Sequence, residues 1–403
     1  MGGRVLDRRR LVAGLGFAAA SAGGFRAARA ADTAPIRVGV LSDMSGPYVD
    51  SGGRGSVLAA RMAAEEVGDV LGRPVEILDG DTQNKPDIAA AIARQWYDSG
   101  VDAVVDLPVS PVALAVQSIA REKNKTVMIT AAAVSELTSK TCSPTSTHWA
   151  DDTHALAASA SAEVVKAGGR RWFFITVDFA FGTALQRDAT QVIEANGGRV
   201  LGSVRFPLGT ADFSSLILQA QASGAEVVGL AAVGNELVNL VKQAGEFGLG
   251  RGGAQKLAGF LIYLTEVRAL GLEVAQGFTF GSGFYWDQND VARAWSRRFL
   301  ARQGAMPTRV QAAVFTATRH FLRAAQATGS RDAVAVNRAM RAAPVDYLGR
   351  AASLRADGRV LYDLSVYRVK SPAQSRSPWD FYEAIGTLAA DQAFLPAAKG
   401  CGA

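Results

Sequence analysis

Ser110 and Pro111 follow a buried apolar run, residues 101–106, and open an amphipathic stretch. A serine N-cap with proline at the first helical position begins a helix whose leading N–H groups have no intrahelical acceptor. Those donors and the positive end of the helix dipole form a seat for an anion. Val109 precedes the serine in the same loop, Leu107-Pro108-Val109-Ser110-Pro111. A second loop, Thr130-Ala131-Ala132-Ala133-Val134-Ser135, is almost all small residues, which lets a ligand reach backbone N–H groups or lets the loop pack closely on its neighbour. That neighbour, residues 42–53, is a long Gly-rich segment carrying Tyr48 and Ser51. Rings follow other apolar runs: Phe179 and Phe181 after residues 172–177, and Phe284-Tyr285-Trp286 after residues 277–281. Such rings fill cores as readily as pockets. Val233 and Asn235 follow residues 226–232, and His148, Trp149, Asp151 and Asp152 sit in a polar connection at 141–152.

This inventory suits the holding of a small anion better than the making of bonds. The chain has no strand–Gly-x-Ser-x-Gly–helix elbow, no Gly-x-x-x-x-Gly-Lys-Ser/Thr and no His-Glu-x-x-His. Ser51-Gly52-Gly53-Arg54-Gly55 lacks the acidic partner of a dinucleotide fingerprint. His148, His154 and His320 make no chelating motif, and neither a metal nor a cofactor is expected. Acid pairs such as Asp79/Asp81 read as solvated, because carboxylates are rarely buried.

The elements that must position these residues alternate. Strands are predicted at 36–41, 74–78, 101–106 and 126–130, with helices at 56–67, 87–99 and 110–123 between them. The rhythm restarts with strands at 172–177, 199–206, 226–232, 256–262 and 277–281 and helices at 182–195, 213–223 and 236–247. Alternation of this kind predicts an α/β fold with parallel sheets, and two series predict two lobes. Helices at 290–302, 310–329 and 332–342 are expected to return to the first lobe. A turn at 354–359 and a strand at 360–369 lead into a tail expected to cross back to the second. Lobe 1 is thus expected to hold residues 31–150 and about 283–355, and lobe 2 residues 151–282 and 356–403. Several crossings make a hinge rather than a tether. In open α/β sheets ligands sit beyond the carboxyl ends of the strands, where the loops named above fall.

Residues 1–30 read as a cleaved export signal. Asp7-Arg8-Arg9-Arg10 precedes a short apolar, Gly/Ala-rich run, and Ala28-Arg29-Ala30 is a small-x-small cleavage site. The paired arginines point to the twin-arginine route and so to the periplasm. The run is too short for the ~30 Å hydrocarbon core, and no membrane insertion is expected after cleavage. The formal charge of +6 falls to near +1 without this segment, which carries six arginines and one aspartate. A nearly neutral body offers no footprint for nucleic acid. In an oxidising compartment Cys142 and Cys401 invite one disulfide, the alternative being two separate thiols.

In order and spacing the chain resembles the periplasmic solute-binding proteins of ABC importers, of the branched-chain amino-acid-binding, type I kind, with two Rossmann-like lobes. The resemblance rests on Asp43-Met44-Ser45-Gly46-Pro47, Leu71-Gly72-Arg73-Pro74, Val177-Asp178-Phe179-Ala180-Phe181-Gly182 and Lys242-Gln243-Ala244 with Phe247-Gly248-Leu249. Phe284-Tyr285-Trp286, Arg355-x-Asp357-Gly358-Arg359 and Pro378-Trp379-Asp380-Phe381-Tyr382 extend it towards the C-terminus. It implies that Ser110 and Ala131–Ala133 hold a carboxylate, with contacts from Tyr48 to Ser51, near Phe181, and at Val233 to Asn235. It also implies a membrane permease and ATPase as partners, and no catalysis. The family's ammonium-binding glutamate would fall near Ile262, where Phe260-Leu261-Ile262-Tyr263-Leu264 carries no charge. An ammonium without a partner is costly to bury, so an aromatic or other organic acid is expected in preference to a branched-chain amino acid. Tyr48, Trp149, Phe181 and Tyr285 are the candidate rings, and Asp152 is the acid that would restore amino-acid binding. A ligand sensor of the same fold, or an exported α/β enzyme, are the alternatives.

Overall fold

The computed structural model describes Met1 and residues 34–250, 255–399 and 401, so the export segment lies outside the described residues. The first lobe is built on β1 (Ile36–Ser42), α1 (Gly53–Val67), β2 (Val75–Asp81), α2 (Pro86–Asp98), β3 (Ala103–Asp106), α3 (Ser110–Glu122), β4 (Thr126–Ile129) and β5 (Ser146–His148). Its five strands are parallel, in the order β2-β1-β3-β4-β5. β3 shows why an unbroken apolar run was written here. Ala103 and Val105 join one core with Val57 of α1, while Val104 joins another with Ala93 of α2 and Val112 of α3. A strand covered on both faces must be apolar at every position.

The second lobe follows with α4 (Thr153–Lys166), β6 (Arg171–Val177), α5 (Ala180–Ala195), β7 (Arg199–Phe206), α6 (Ser214–Ala222), β8 (Val227–Ala231), α7 (Asn235–Glu246) and β9 (Lys256–Gly259). These strands are parallel in the order β7-β6-β8-β9. Trp172, Phe174 and Phe260 pack as rings within 6.3 Å of one another at its core. α8 (Leu264–Leu270), α9 (Leu272–Ala275) and β10 (Thr279–Ser282) complete this stretch. The strand expected at 256–262 stops at Gly259, and the chain turns into α8, whose Glu266 closes a capping box at Tyr263.

α10 (Asp290–Gln303), α11 (Arg309–Thr328) and α12 (Ala333–Ala342) return to the first lobe, where α11 lies along α1 and Trp295, Phe299 and Phe315 pack as a cluster. α11 begins at a Thr308/Gln311 capping box and ends at a left-handed Gly329. β11 (Val345–Tyr347), β12 (Arg350–Leu354) and β13 (Val360–Leu361) form an antiparallel ladder. β14 (Leu364–Val369) pairs instead with β10 and with β15 (Tyr382–Leu388), before a last turn, α13 (Ala390–Ala393). The single strand expected at 360–369 is therefore two, in different sheets. The break falls at Tyr362, whose hydroxyl donates to Asp151 at 2.6 Å in the first crossing between the lobes.

Asp151 ties the hinge together. It also accepts from the N–H of Gly283, 3.1 Å away in the second crossing, and pairs with the Arg309 guanidinium. One carboxylate thus holds the crossings at 149–152, 283–289 and 362–363. Beside it the buried Arg359 donates to His148 Nδ1 at 2.9 Å and to the Ala150 carbonyl. An arginine can only donate, so the His148 proton lies on Nε2, which donates to the Ala132 carbonyl at 2.7 Å. Burial and Arg359 hold that imidazole well below its ordinary pKa, hence neutral. Cys142 and Cys401 form a disulfide, Cα–Cα 5.8 Å.

Candidate functional site

A narrow cleft lies between the strand ends of the two sheets. The chain just beyond β1, β3, β4, β6, β8 and β9 lines it, whereas that beyond β10 does not. Tyr48, Ser51 and Gly52 come after β1, Asp106 to Ser110 after β3, and Ala131 and Ala133 after β4. The second lobe supplies Phe179 and Phe181 after β6, Val233 after β8, and Leu261 and Tyr263 after β9, with Val310 from α11. β1 and β3 leave in opposite directions across the first sheet, and β6 and β8 across the second, so both crevices lie at topological switch points.

Ser110 is the first residue of α3 and Val109 is its N-cap, one position earlier than the sequence suggests. Its hydroxyl therefore makes no cap hydrogen bond; it is buried, lines the cleft and has no partner. Ala131 and Ala133 face the same space, and among the described residues their N–H groups find no acceptor in the chain. Ala132, between them, points the other way. Its N–H goes to Leu107 and its carbonyl takes the His148 proton, as the two-residue period of extended chain requires.

The first loop is shaped by Asp43, whose carboxylate accepts from the N–H groups of Gly46 and Tyr48 at 2.6 and 2.8 Å and from Asn84 at 2.8 Å. From α11, Thr308 donates to the Ser51 carbonyl at 2.6 Å. The buried Tyr48 ring thereby reaches across to the second lobe, where a Cβ on Gly234 would stand 2.9 Å from it. Gly234 has φ +71°, so no other residue fits there easily. Burial and the neighbouring Glu236 push the Tyr48 hydroxyl well above its ordinary pKa, so it stays a neutral donor. A second contact spans the lobes at the rim: Arg187 of α5 donates to Glu136 at 2.6 Å and to Ser135 at 3.1 Å.

Five other residues singled out from the sequence lie outside the cleft wall. Trp149 is fully buried in the first-lobe core, edge-on to His320, and donates to Thr147 at 2.8 Å. Asp152 caps α4 by accepting from Ala155 at 2.9 Å, with Arg359 3.7 Å away. Asn235, the first residue of α7, is exposed. Ile262 packs back over Gly259, while its neighbours Leu261 and Tyr263 face the cleft by the same two-residue alternation. Tyr285 turns its hydroxyl to the Trp379 carbonyl at 3.1 Å, on the hinge side.

Among the cleft residues the sequence did not single out are Asp106, Tyr263 and Val310. Asp106 carried a signal: an acid ending an apolar central strand and followed by a Leu-Pro turn. Glu266 lies behind Tyr263. Its two oxygens accept from the N–H groups of Gly234 and Tyr263, and burial raises it to about 8. It is a structural acid, neutral near pH 7, and not a free anion in the cleft.

Residues 35–375 match the family described as periplasmic binding protein. The crystal structure of a periplasmic binding protein from Burkholderia mallei is 40% identical, with a TM-score of 0.88 over 91% of this chain and 98% of that one. That of a branched chain amino acid ABC transporter periplasmic ligand-binding protein from Burkholderia xenovorans LB400 is 37% identical, with a TM-score of 0.79 over 90% and 97%. Leu/Ile/Val-binding protein homolog 6 of Brucella melitensis biotype 1 is 26% identical over 249 residues, 61% of this chain, and the match spans 63% of that relative's length. With its paired parallel sheets, interlobe cleft and these matches, the chain belongs to the periplasmic binding protein family and has the type I fold.

Proposed function

We propose that this protein captures a small carboxylate in the periplasm and delivers it to the permease and ATPase of an ABC importer, after export by the twin-arginine route. An aromatic or other organic acid is preferred to a branched-chain amino acid. The observation that carries this reading is the convergence, on one wall, of an unpartnered buried hydroxyl at Ser110 with the free N–H groups of Ala131 and Ala133. Three unspent donors beside a helix N-terminus leave room for an acceptor-rich, negatively charged group. The opposite wall, from Phe179, Phe181, Val233, Leu261 and Tyr263, is apolar or aromatic and suits a hydrocarbon body.

The organic-acid preference rests on Glu266. Where an amino-acid binder needs an ionised partner for the ammonium, this acid is tied to backbone N–H groups and held neutral by burial. Capture follows the order of the donors. The carboxylate docks on the first lobe, and the second closes over the body as Tyr48 meets Gly234 and Arg187 meets Glu136. The ligand shifts that equilibrium only by its extra affinity for the closed form. Calorimetric titration of the mature protein with benzoate-like acids and with leucine tests the reading. Heat from the acids and none from leucine is the expected result; tight leucine binding with silence from every acid overturns the preference.

A further inference from the structure

An acid-binding cleft that carries an acid of its own poses a problem of charge. Asp106 ends β3, is fully buried and lines the cleft, and its carboxylate oxygens meet no donors other than the nearby hydroxyls of Ser42, Ser56 and Thr130. The backbone is bent to put it there: Asp106 and Leu107 have φ +90° and +68°, each a conformation that costs non-glycine residues roughly 1–3 kcal/mol. Gly52 covers the carboxyl from the first loop. A Cβ at that position would lie 3.1 Å from Asp106 Oδ2, 3.0 Å from Ser42 Oγ and 3.4 Å from Ser56 Oγ. The glycine thus lets the first loop close onto the carboxyl, where any side chain would crowd it.

Four elements face this group. Ser42 at the end of β1, Ser56 in α1 and Thr130 after β4 bring hydroxyls near enough to favour its charge, while Asp43 opposes it. From the second lobe comes the Tyr263 hydroxyl, with Arg309 behind that ring, 5.3 Å from its centre. The Ser56 and Thr130 hydroxyls are themselves buried with no partner but this carboxylate. Burial outweighs the hydroxyls and raises Asp106 to about 6, so near pH 7.5 it is mostly a carboxylate, with three hydroxyl donors for its roughly four acceptor positions. A second carboxylate, brought by the ligand to Ser110 four residues along the chain, makes the need for a further donor more acute.

We propose that Asp106 is a specificity-determining residue that accepts a hydrogen bond from a hydroxyl near the carboxylate of the bound solute, so that the solute is a hydroxylated organic acid. This rests on the carboxylate-capture reading above. A hydroxyl is favoured over an ammonium because its single donor is fully met by Asp106. An ammonium brings three donors, of which Asp106 and the Tyr263 hydroxyl meet two and leave one without an acceptor on this wall.

Two matched series test it: phenylacetate, mandelate and phenylglycine, and 4-methylpentanoate, 2-hydroxy-4-methylpentanoate and leucine. Each is titrated calorimetrically at pH 7.5 into the wild type and into Asp106→Asn. In at least one series the hydroxy acid should bind about tenfold or more tightly than its unsubstituted partner, as expected of a hydrogen bond to a charged acceptor. Asp106→Asn should bring that ratio close to one while the unsubstituted acid binds as well or better. The wild-type comparison stands without the variant, so misfolding of Asp106→Asn cannot hide a failure. Equal binding of unsubstituted and hydroxy acids, or tightest binding of the amino acids, overturns the assignment of Asp106 but leaves carboxylate capture standing. Silence from all six compounds overturns both.

Discussion

Ser110→Ala separates binding from stability, because the hydroxyl it removes has no partner in the folded chain. A buried polar group without a hydrogen bond costs roughly 1–3 kcal/mol, so its deletion leaves the ligand-free fold unchanged or slightly more stable. The helix start does not suffer, since Val109 is the N-cap and no side-chain cap is present. With a carboxylate bound, the same hydroxyl becomes a donor to a charged acceptor, typically worth about 1.5–3 kcal/mol. Losing it should weaken binding by about 10- to 150-fold at roughly 1.4 kcal/mol per decade. Calorimetry measures the affinity, and thermal unfolding of the ligand-free protein measures the fold. Unchanged affinity together with a clear fall in Tm would mean that the hydroxyl supports the helix rather than the solute, and the anion seat would have to be abandoned.

Folded stability should fall as pH rises above about 6.5, where the buried imidazoles of His148 and His320 are neutral in the folded and unfolded chain alike. Burial raises Asp106 to about 6 and Glu266 to about 8, so between about pH 4 and 8 the native chain holds protons that the unfolded chain has released. The expected slope is about 1.4 kcal/mol per pH unit for each such group, levelling above its native pKa, and Asp106→Asn should remove the share lying below about pH 6. Urea melts at several pH values check this, and greater stability at pH 8 than at pH 6.5 would contradict it. Asp151→Asn leaves the buried Arg309 without its countercharge and loosens all three crossings, with an expected loss of about 3–5 kcal/mol in denaturant unfolding. A loss under about 1 kcal/mol would show that the hinge does not depend on this ion pair. Gly234→Ala places a methyl 2.9 Å from the Tyr48 ring and should weaken solute affinity about tenfold or more. Small-angle scattering should then show no compaction on adding solute; normal compaction would mean that Tyr48 and Gly234 need not meet.

Most of the architecture was legible because the buried strands are written as unbroken apolar runs. β3 is the clearest, with alternate residues serving two cores. Short strands were not legible. β5 and β11 hold three residues each, too few for the alternation of a strand to register in the local pattern. The break at Tyr362 is set by Asp151, some two hundred positions earlier, and no local rule anticipates it. Within the site, most of the expected loops line the cleft, but not every side chain expected there faces it. Ile262 is wrong by one residue because extended backbone alternates, and the same alternation divides Ala132 from Ala131 and Ala133. Trp149 and Asp152 have suitable chemistry in a suitable loop, yet the first is spent on packing and the second on capping α4. Asp106 went unremarked because it reads as the polar end of a strand, and only the structure shows that it is fully buried at the cleft with nothing but hydroxyls to meet its charge.

The bond between Cys142 and Cys401 encloses the hinge and the whole second lobe in one covalent ring. Tension applied between β1 and Cys401 would pass from Cys142 straight across the sulfurs. Only the segment before Cys142 would bear load, and a cut anywhere inside the ring would leave the pieces joined until a reductant opened it.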